Sequence, residues 1–552
     1  MAIMGASGAG KTTLLNVLTN RNLRLLNVEG QVLVNGQSVG ESIIRLSAYV
    51  QQDDLFIETL TVREHLIFQA CLRMDKHLNY DERMKRVEEV MQELSLTKCA
   101  DTIIGAAGVI KGISGGEAKR LAFAAELLTK PALMFCDEPT SGLDSFISRS
   151  LVSVLRDMAR GGRTIICTIH QPSSDVFELF DDLLLMAEGR VAYRGKASMA
   201  LDFFSRVGLK CPINYNPADF YVQNLAIAPG RENESREKVA AIVSQFARED
   251  VEIEKSDSLS YSEPMPHIRE TSRYKASWIS QFRTVFWRSV LNLRRDVVLL
   301  KVRLIQAVAM GLLIGLIFLQ QDMDQKGVMN INGALFLLLV NVSFNNMYTV
   351  INAFTVEEPI FLREHWNGMY RADVYFLSKT IAEAPLLMFM TSILVSIVYW
   401  LAGFRPDFTA FLITLAIFNL AAHAAASFGY MISCISTGLN VAPSIASPFI
   451  LPFVIFGGFY LNVDSVPKYF VWLKYISMFY YGNEALLINQ WAPVTNLTCS
   501  SESCMPDGKA VLSNFHFNEE HLLRNISIIG VLLVVFRTLA FLGLLIKSAK
   551  RT

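Results

Sequence analysis

Gly5-Ala6-Ser7-Gly8-Ala9-Gly10-Lys11-Thr12, continued by Thr13, decides the first half of the fold. The spacing is G-x-x-x-x-G-K-[ST], the glycine-rich turn that joins a strand to a helix around a nucleotide phosphate. Its glycines let backbone N–H groups curl around phosphate oxygens at a helix N-terminus. Lys11 is placed to reach the β- and γ-phosphates of ATP, and the Thr12 hydroxyl to ligate Mg²⁺. A plain glycine-rich turn is the alternative for this octapeptide alone. Met1-Ala2-Ile3-Met4 reads as the tail of the buried strand that feeds the loop. The strands that normally precede such a loop are missing, so a truncated or mis-started N-terminus is expected.

Two further stretches read as strand ends that carry chemistry. Apolar Leu133-Met134-Phe135-Cys136 stops at Asp137-Glu138, so a buried strand delivers two carboxylates at its C-terminal edge. Asp137 is expected to hold Mg²⁺ through water, and Glu138 to polarise the attacking water as general base. A carboxylate pair at a strand end is otherwise a surface turn, but Pro139-Thr140-Ser141-Gly142-Leu143-Asp144 follows directly. Arg163-Thr164-Ile165-Ile166-Cys167-Thr168-Ile169 is a second strand, and it ends at His170 with Gln171-Pro172-Ser173 beyond.

At 552 residues the chain exceeds one domain, and 52% hydrophobic residues is high for a soluble enzyme. Lys plus Arg equals Asp plus Glu at 51 each, so charge gives no reason to expect a nucleic-acid partner. Cys71, Cys99, Cys136, Cys167 and Cys211 lack metal-ligand spacing and read as reduced cytosolic thiols. Residues 227–272 turn polar and charged, which suits a solvated, partly flexible linker. Across 273–297, Trp278, Phe282, Val285, Phe286 and Val290 recur at helical spacing among Arg283, Arg288, Arg294 and Arg295. That pattern fits a connecting helix in the membrane interface or one packed on protein.

Beyond it the chain becomes membrane. A bilayer core takes about 20 apolar residues per helix. Residues 298–552 offer six candidates: 299–319, 331–354, 374–402, 408–435, 440–461 and 526–546. Arg294, Arg295, Lys301 and Arg303 flank the first, while Lys547, Lys550 and Arg551 follow the last. The positive-inside rule then places both termini in the cytoplasm, where ATP is. The stretch 462–525 faces outside or lumen, and its aromatic runs suggest short re-entrant helices. Asn496-Leu497-Thr498 there is a glycosylation sequon. Cys499 and Cys504 suit a small loop disulfide, with two free thiols as the alternative. Glu383 and Arg537 lie inside spans, where charge is costly; a structural ion pair or backbone bond is expected for each.

Ile113-Ser114-Gly115-Gly116-Glu117 is where the chain resembles the ABC transporter superfamily. The ATPase-first order, Tyr49-Val50-Gln51-Gln52-Asp53-Asp54-Leu55 and Thr61-Val62-Arg63-Glu64-His65-Leu66 make it similar to the G (White) subfamily of half-transporters. Arg63–Ala70 and the tail around Tyr475–Trp491 look nearest its insect eye-pigment members. The resemblance covers essentially the whole chain. It implies an α/β P-loop ABC ATPase domain at 1–226, then an all-α six-helix transmembrane domain of the type II exporter kind.

It also implies that Gln52, rather than Gln51, senses the γ-phosphate and is a further Mg²⁺ ligand. Ser114, Gly115, Gly116 and Glu117 become the signature that closes on ATP held by a second subunit. Asp144 becomes the D-loop aspartate and His170 the switch histidine. The family often has a basic residue directly after Gly116-Glu117; here it is Ala118, with Lys119-Arg120 next. Asn341 and Phe344 match substrate-clamping positions, and Phe459 and Tyr460 the apolar gate above them.

Three functions follow as expectations. One is a pump for small aromatic metabolites (guanine-type purines, tryptophan metabolites), paired with a different G-subfamily half-transporter. It would act in an intracellular vesicle, a pigment granule or the plasma membrane. Another is a homodimeric exporter of sterols, lipids or xenobiotics. The third is an ATP-binding regulatory subunit without pump activity, which intact Glu138 and Ser114 argue against.

Overall fold

Buried on every residue, the strand Ala2–Gly5 (β1) sits inside a six-stranded sheet ordered β4-β5-β6-β1-β7-β8. Its partners are Ser47–Val50 (β4), Leu133–Asp137 (β5), Thr164–Thr168 (β6), Asp182–Ala187 (β7) and Arg190–Lys196 (β8). A separate short hairpin pairs Leu33–Val34 (β2) with Gln37–Ser38 (β3). All main-sheet pairs are parallel except β7 with β8. Parallel strands covered on both faces need continuous apolar runs, which Ala2-Ile3-Met4 and Leu133-Met134-Phe135-Cys136 supply. The register sets Asp137 opposite Thr168 and Ile3 opposite Thr168, so three strand ends converge at one edge.

The computed structural model describes residues 1–21, 23, 26–52, 55–105, 110–257, 274–438, 440–461, 467, 469–495, 497 and 505–549. They form two compact units, one of residues 1–284 with 367–369, the other of 285–366 with 370–550. Asn496, Cys499 and Cys504 lie outside the described residues, as do Asp53 and Asp54.

In the first unit the expected polar linker is corrected over much of its length. Residues Glu232–Asp257 form one helix, and Val239, Ile242 and Phe246 are buried by it. The three- and four-residue spacing puts them on one face, against Tyr193 and Phe203.

In the second unit, Val297–Ile317, Gln325–Trp366, Ala372–Leu401, Phe408–Ile435 and Glu519–Ala549 are long and apolar enough to cross a bilayer. The fifth candidate, 440–461, is a shorter helix, Val441–Ile455. Its 15 residues rise roughly 22 Å, short of a bilayer core of about 30 Å. Pro448 and Pro452 lie within it and a Gly457-Gly458 turn follows it. The described helices therefore include five of spanning length rather than six. Gln325–Trp366, at 42 residues, runs on the order of 60 Å and outreaches the apolar layer.

Small residues allow close approach here. A Cβ on Gly311 or Gly315 would meet Ile397 at 3.1 Å or Leu401 at 2.7 Å, and one on Gly429 would meet the Met347 carbonyl at 2.8 Å. The stretch expected as interfacial re-entrant helices holds something different. Met478–Trp491 is buried at all fourteen positions, with Asn489 bonded to the Ala410 carbonyl and Trp491 Nε1 donating to Asn332. It is a core helix of the second unit; the exposed Trp472–Ile476 turn before it keeps the interfacial character.

Candidate functional site

Residues Lys11–Leu18 form the helix after the phosphate loop, with Gly10 as its N-cap in the left-handed region at φ 95°. A side chain there would be strained. Gly5 answers a different demand: a Cβ would lie 2.3 Å from the Met186 carbonyl on β7. Lys11 is 6% exposed and its Nζ donates to the Gly5 and Ala6 carbonyls at 2.9 and 3.1 Å. Burial pushes its pKa below the usual lysine value, and nearby Glu138 and Asp137 offset part of that. Ala6, Ser7, Gly8, Ala9 and Thr13 complete the loop and its first turn.

Asp137 is 4% exposed, so its charge depends on hydrogen bonds. Its Oδ1 accepts from Thr12 Oγ1 at 3.2 Å and from Thr168 Oγ1 at 2.6 Å, while Tyr49 lies 3.5 Å from Oδ2. The Tyr49 hydroxyl is pushed well up by burial first and by Asp137 second, so it stays a donor. Glu138 follows in the left-handed region at φ 44°, uncommon for a residue with a side chain. Its N–H donates to Thr168 Oγ1 at 2.8 Å and its Oε2 accepts from Gln52 Nε2 at 2.9 Å. Lys119 from the signature helix donates to the Gln52 carbonyl at 2.5 Å.

Thr12, Gln52, Asp137 and Glu138 thus come together at one sheet edge. The donor set fits Mg²⁺, which takes hard oxygen ligands. Thr12 Oγ1 and Asp137 Oδ1 are 3.2 Å apart, close enough to serve one ion, the carboxylate through water. The Gln52 amide oxygen is a third donor of the same type.

Ser114, Gly115, Gly116 and Glu117 form a separate feature, the start of the helix Gly115–Leu127. Ser114 and Glu117 make a capping box: Glu117 Oε2 accepts from Ser114 N and Oγ, both at 2.8 Å. The Ser114 amide, then its hydroxyl, hold the Glu117 carboxyl below the usual range. Asp144 caps the helix Ser145–Arg160 through the amides of Phe146 and Ile147. A Cβ on Gly116 would meet Ile147 at 2.9 Å, so the two helix starts are packed neighbours. Ser114 and Asp144 are exposed, and His170 is half-buried just past β6.

Sequence reasoning missed Thr168, Tyr49 and Lys119. Thr168 and Tyr49 are named by register and strand order, not by a motif; Lys119 stands in a flagged basic pair, but its reach to Gln52 is a fact of packing.

In the second unit, Phe459 stacks on Phe336 at 5.1 Å and 15°, and Tyr460 meets both rings edge-on. Phe344 packs instead toward Tyr348, whose hydroxyl bonds Ser447. Asn341 is half-buried on the same helix as Phe344. Glu383 is in an ion pair with Lys379 at 3.0 Å and is bonded by Tyr430, while Arg537 lies over the Tyr430 ring at 5.8 Å.

Comparison with known proteins follows the same division. Residues 1–141 match the family model described as "ABC transporter", and residues 280–491 that described as "ABC-2 type transporter". "Protein white" of Drosophila melanogaster is 51% identical over 561 residues, covering 100% of this chain and 82% of that protein. "Protein white" of Ceratitis capitata is 49% identical, covering 100% and 83%. "Protein scarlet" of Drosophila melanogaster is 38% identical, covering 95% and 81%.

Proposed function

Because the chain belongs to the G-type ABC half-transporters, multi-pass membrane proteins that couple ATP hydrolysis to transport, we propose that it moves small aromatic metabolites as one half of a dimer. The substrates in this reading are guanine-type purines and tryptophan metabolites, and the partner is a different half-transporter of the same family. The full-length likeness to two insect white proteins carries the reading. Tyr460, exposed beside the Phe336–Phe459 stack, supports it, since flat aromatic surfaces take flat aromatic solutes.

In the cycle, Lys11 and the loop amides would bind the phosphates, and Thr12, Asp137 and Gln52 would hold Mg²⁺, which would supply charge neutralisation to the phosphates. Glu138 polarises the attacking water with His170 as the switch histidine, and Gln52 senses the γ-phosphate. Ser114 of one subunit closes on ATP held by Lys11 of the other, so each site needs two chains. ATP shifts the pair toward an outward-open state through its greater affinity for the closed form, and hydrolysis resets it. In this reading the ATPase unit faces the cytoplasm, and the membrane is a granule's or the cell's.

The test is ATPase activity in lipid, for this chain alone and co-expressed with other G-type half-transporters, with purines and tryptophan metabolites added. Stimulation confined to a mixed pair is the expected result. Stimulation of the chain alone by sterols or drugs would overturn it in favour of a homodimeric exporter.

A further inference from the structure

We propose that Thr168 is a positioning residue for ATP hydrolysis, whose single hydroxyl fixes the Asp137 carboxylate and the Glu138 backbone in one geometry. The inference rests on the reading above, in which Asp137 serves the metal and Glu138 the attacking water. Thr168 closes β6 directly opposite Asp137 on β5 and is fully buried. Its Oγ1 donates to Asp137 Oδ1 at 2.6 Å and accepts from the Glu138 amide at 2.8 Å.

A hydroxyl has one proton and two lone pairs. The Glu138 amide can only donate, so the Thr168 proton is left for the carboxylate. The polarity therefore runs one way, from Glu138 N–H through Thr168 O–H to Asp137. This arrangement does two things at once. It pins Oδ1 beside Thr12 Oγ1, the other oxygen of the proposed metal pair. It also restrains Glu138 in its left-handed φ of 44°, the conformation from which the side chain meets Gln52. Sparsely populated backbone conformations persist where surrounding bonds hold them. Threonine suits the task because its β-branch leaves few χ1 choices.

The experiment compares Thr168→Val, which keeps shape and burial but loses the hydroxyl, with Thr168→Ser, which restores it. Each is assayed as full chain in lipid, with whichever partner supports turnover. Three quantities are read: kcat and KM for ATP, the Mg²⁺ concentration for half-maximal binding of a fluorescent ATP analogue, and the unfolding midpoint. Thr168→Val is expected to lower kcat on the order of 10²-fold, the scale of a small misplacement of reacting groups. KM should change less than about threefold and the Mg²⁺ requirement should rise severalfold, while Thr168→Ser recovers most of kcat.

Thr168→Val with kcat and Mg²⁺ requirement close to the parent's would overturn the proposal. So would Thr168→Ser falling as far as valine, because then shape and not the hydroxyl matters. If the valine variant does not accumulate, Thr168→Ala replaces it in the same comparison with serine. Glu138→Gln and Asp137→Asn run alongside. If Glu138→Gln hydrolyses ATP at the parent rate, the carboxylate reading itself fails; if it is dead while Thr168→Val turns over close to the parent rate, the Thr168 role alone fails.

Discussion

Asp137 in the ATPase unit and Glu364 in the membrane unit are both buried carboxylates, and they are satisfied in opposite ways. In the ATPase unit Asp137 is surrounded by hydroxyls from Thr12, Thr168 and Tyr49. In the membrane unit Glu364 takes two contacts from Arg288 at 2.7 and 2.8 Å and one from Tyr370. Glu357 and Glu383 share Lys379, at 2.7 and 3.0 Å, and Lys547 pairs with Glu358. Neutral donors hold a carboxylate's geometry and leave its charge available to an incoming cation. A lysine or arginine cancels that charge, which lowers the cost of keeping it away from water. The first arrangement suits a site, and the second a strut between helices.

The largest effect should come from removing charge at the site. Glu138→Gln keeps the shape and the link to Gln52 but cannot polarise water. ATP turnover in lipid should fall by about 10²–10⁴-fold, the usual worth of a general base, with ATP still bound. Unchanged turnover would erase the distinction between site and strut. The strut should respond in stability instead. Arg288→Met strands Glu364, and breaking a buried pair costs about 3–5 kcal/mol, read as a lower unfolding midpoint. Adding Glu364→Met should recover most of that loss, since replacing both partners of a buried pair is often near neutral. Binding of ATP should not follow either change. A single variant as stable as the parent would mean the pair is no strut.

How far each arrangement can be read from sequence follows from what holds it. Lys11 and Thr12 are fixed by local spacing, and Asp137-Glu138 by an apolar run that stops; their meeting at one edge needs only parallel strands. Thr168 carries no signal except its place two residues before His170, because the bond to Asp137 is a matter of register. Lys379 and Glu383 are four apart on one helix and so legible as a pair, but Glu357 joins from another span. Asn483, Glu484, Asn489 and Gln490 make Met478–Trp491 look like a loop or interface helix. Each is buried because its neighbours fold around it, and sequence polarity cannot say so. The 227–272 region fails in the other direction: rich in charge, it still spaces Val239, Ile242 and Phe246 on one buried face. Val441–Ile455 is apolar enough for a span and too short for one, with two internal prolines marking the difference.

The smallest effect tests the same contrast with a lysine at its centre. Lys379 touches two carboxylates directly, whereas Lys11 donates to the Gly5 and Ala6 backbone carbonyls and feels Asp137 and Glu138 at a distance. Burial therefore wins at Lys11 and its pKa lies below the usual lysine value. In the window between the two values the unfolded chain binds more protons than the folded one. Stability from this group then rises with pH there, while affinity for ATP, which needs the ammonium, falls. The two readouts should move in opposite directions on the alkaline side. Glu138→Gln removes a carboxylate that raises the Lys11 pKa, so the alkaline limb of ATP binding should shift to lower pH in that variant. Titrating a fluorescent ATP analogue against pH in parent and variant measures it. A limb that stays in place, or moves upward, would show that the site carboxylates do not act on Lys11, and that its charge is held as locally as that of Lys379.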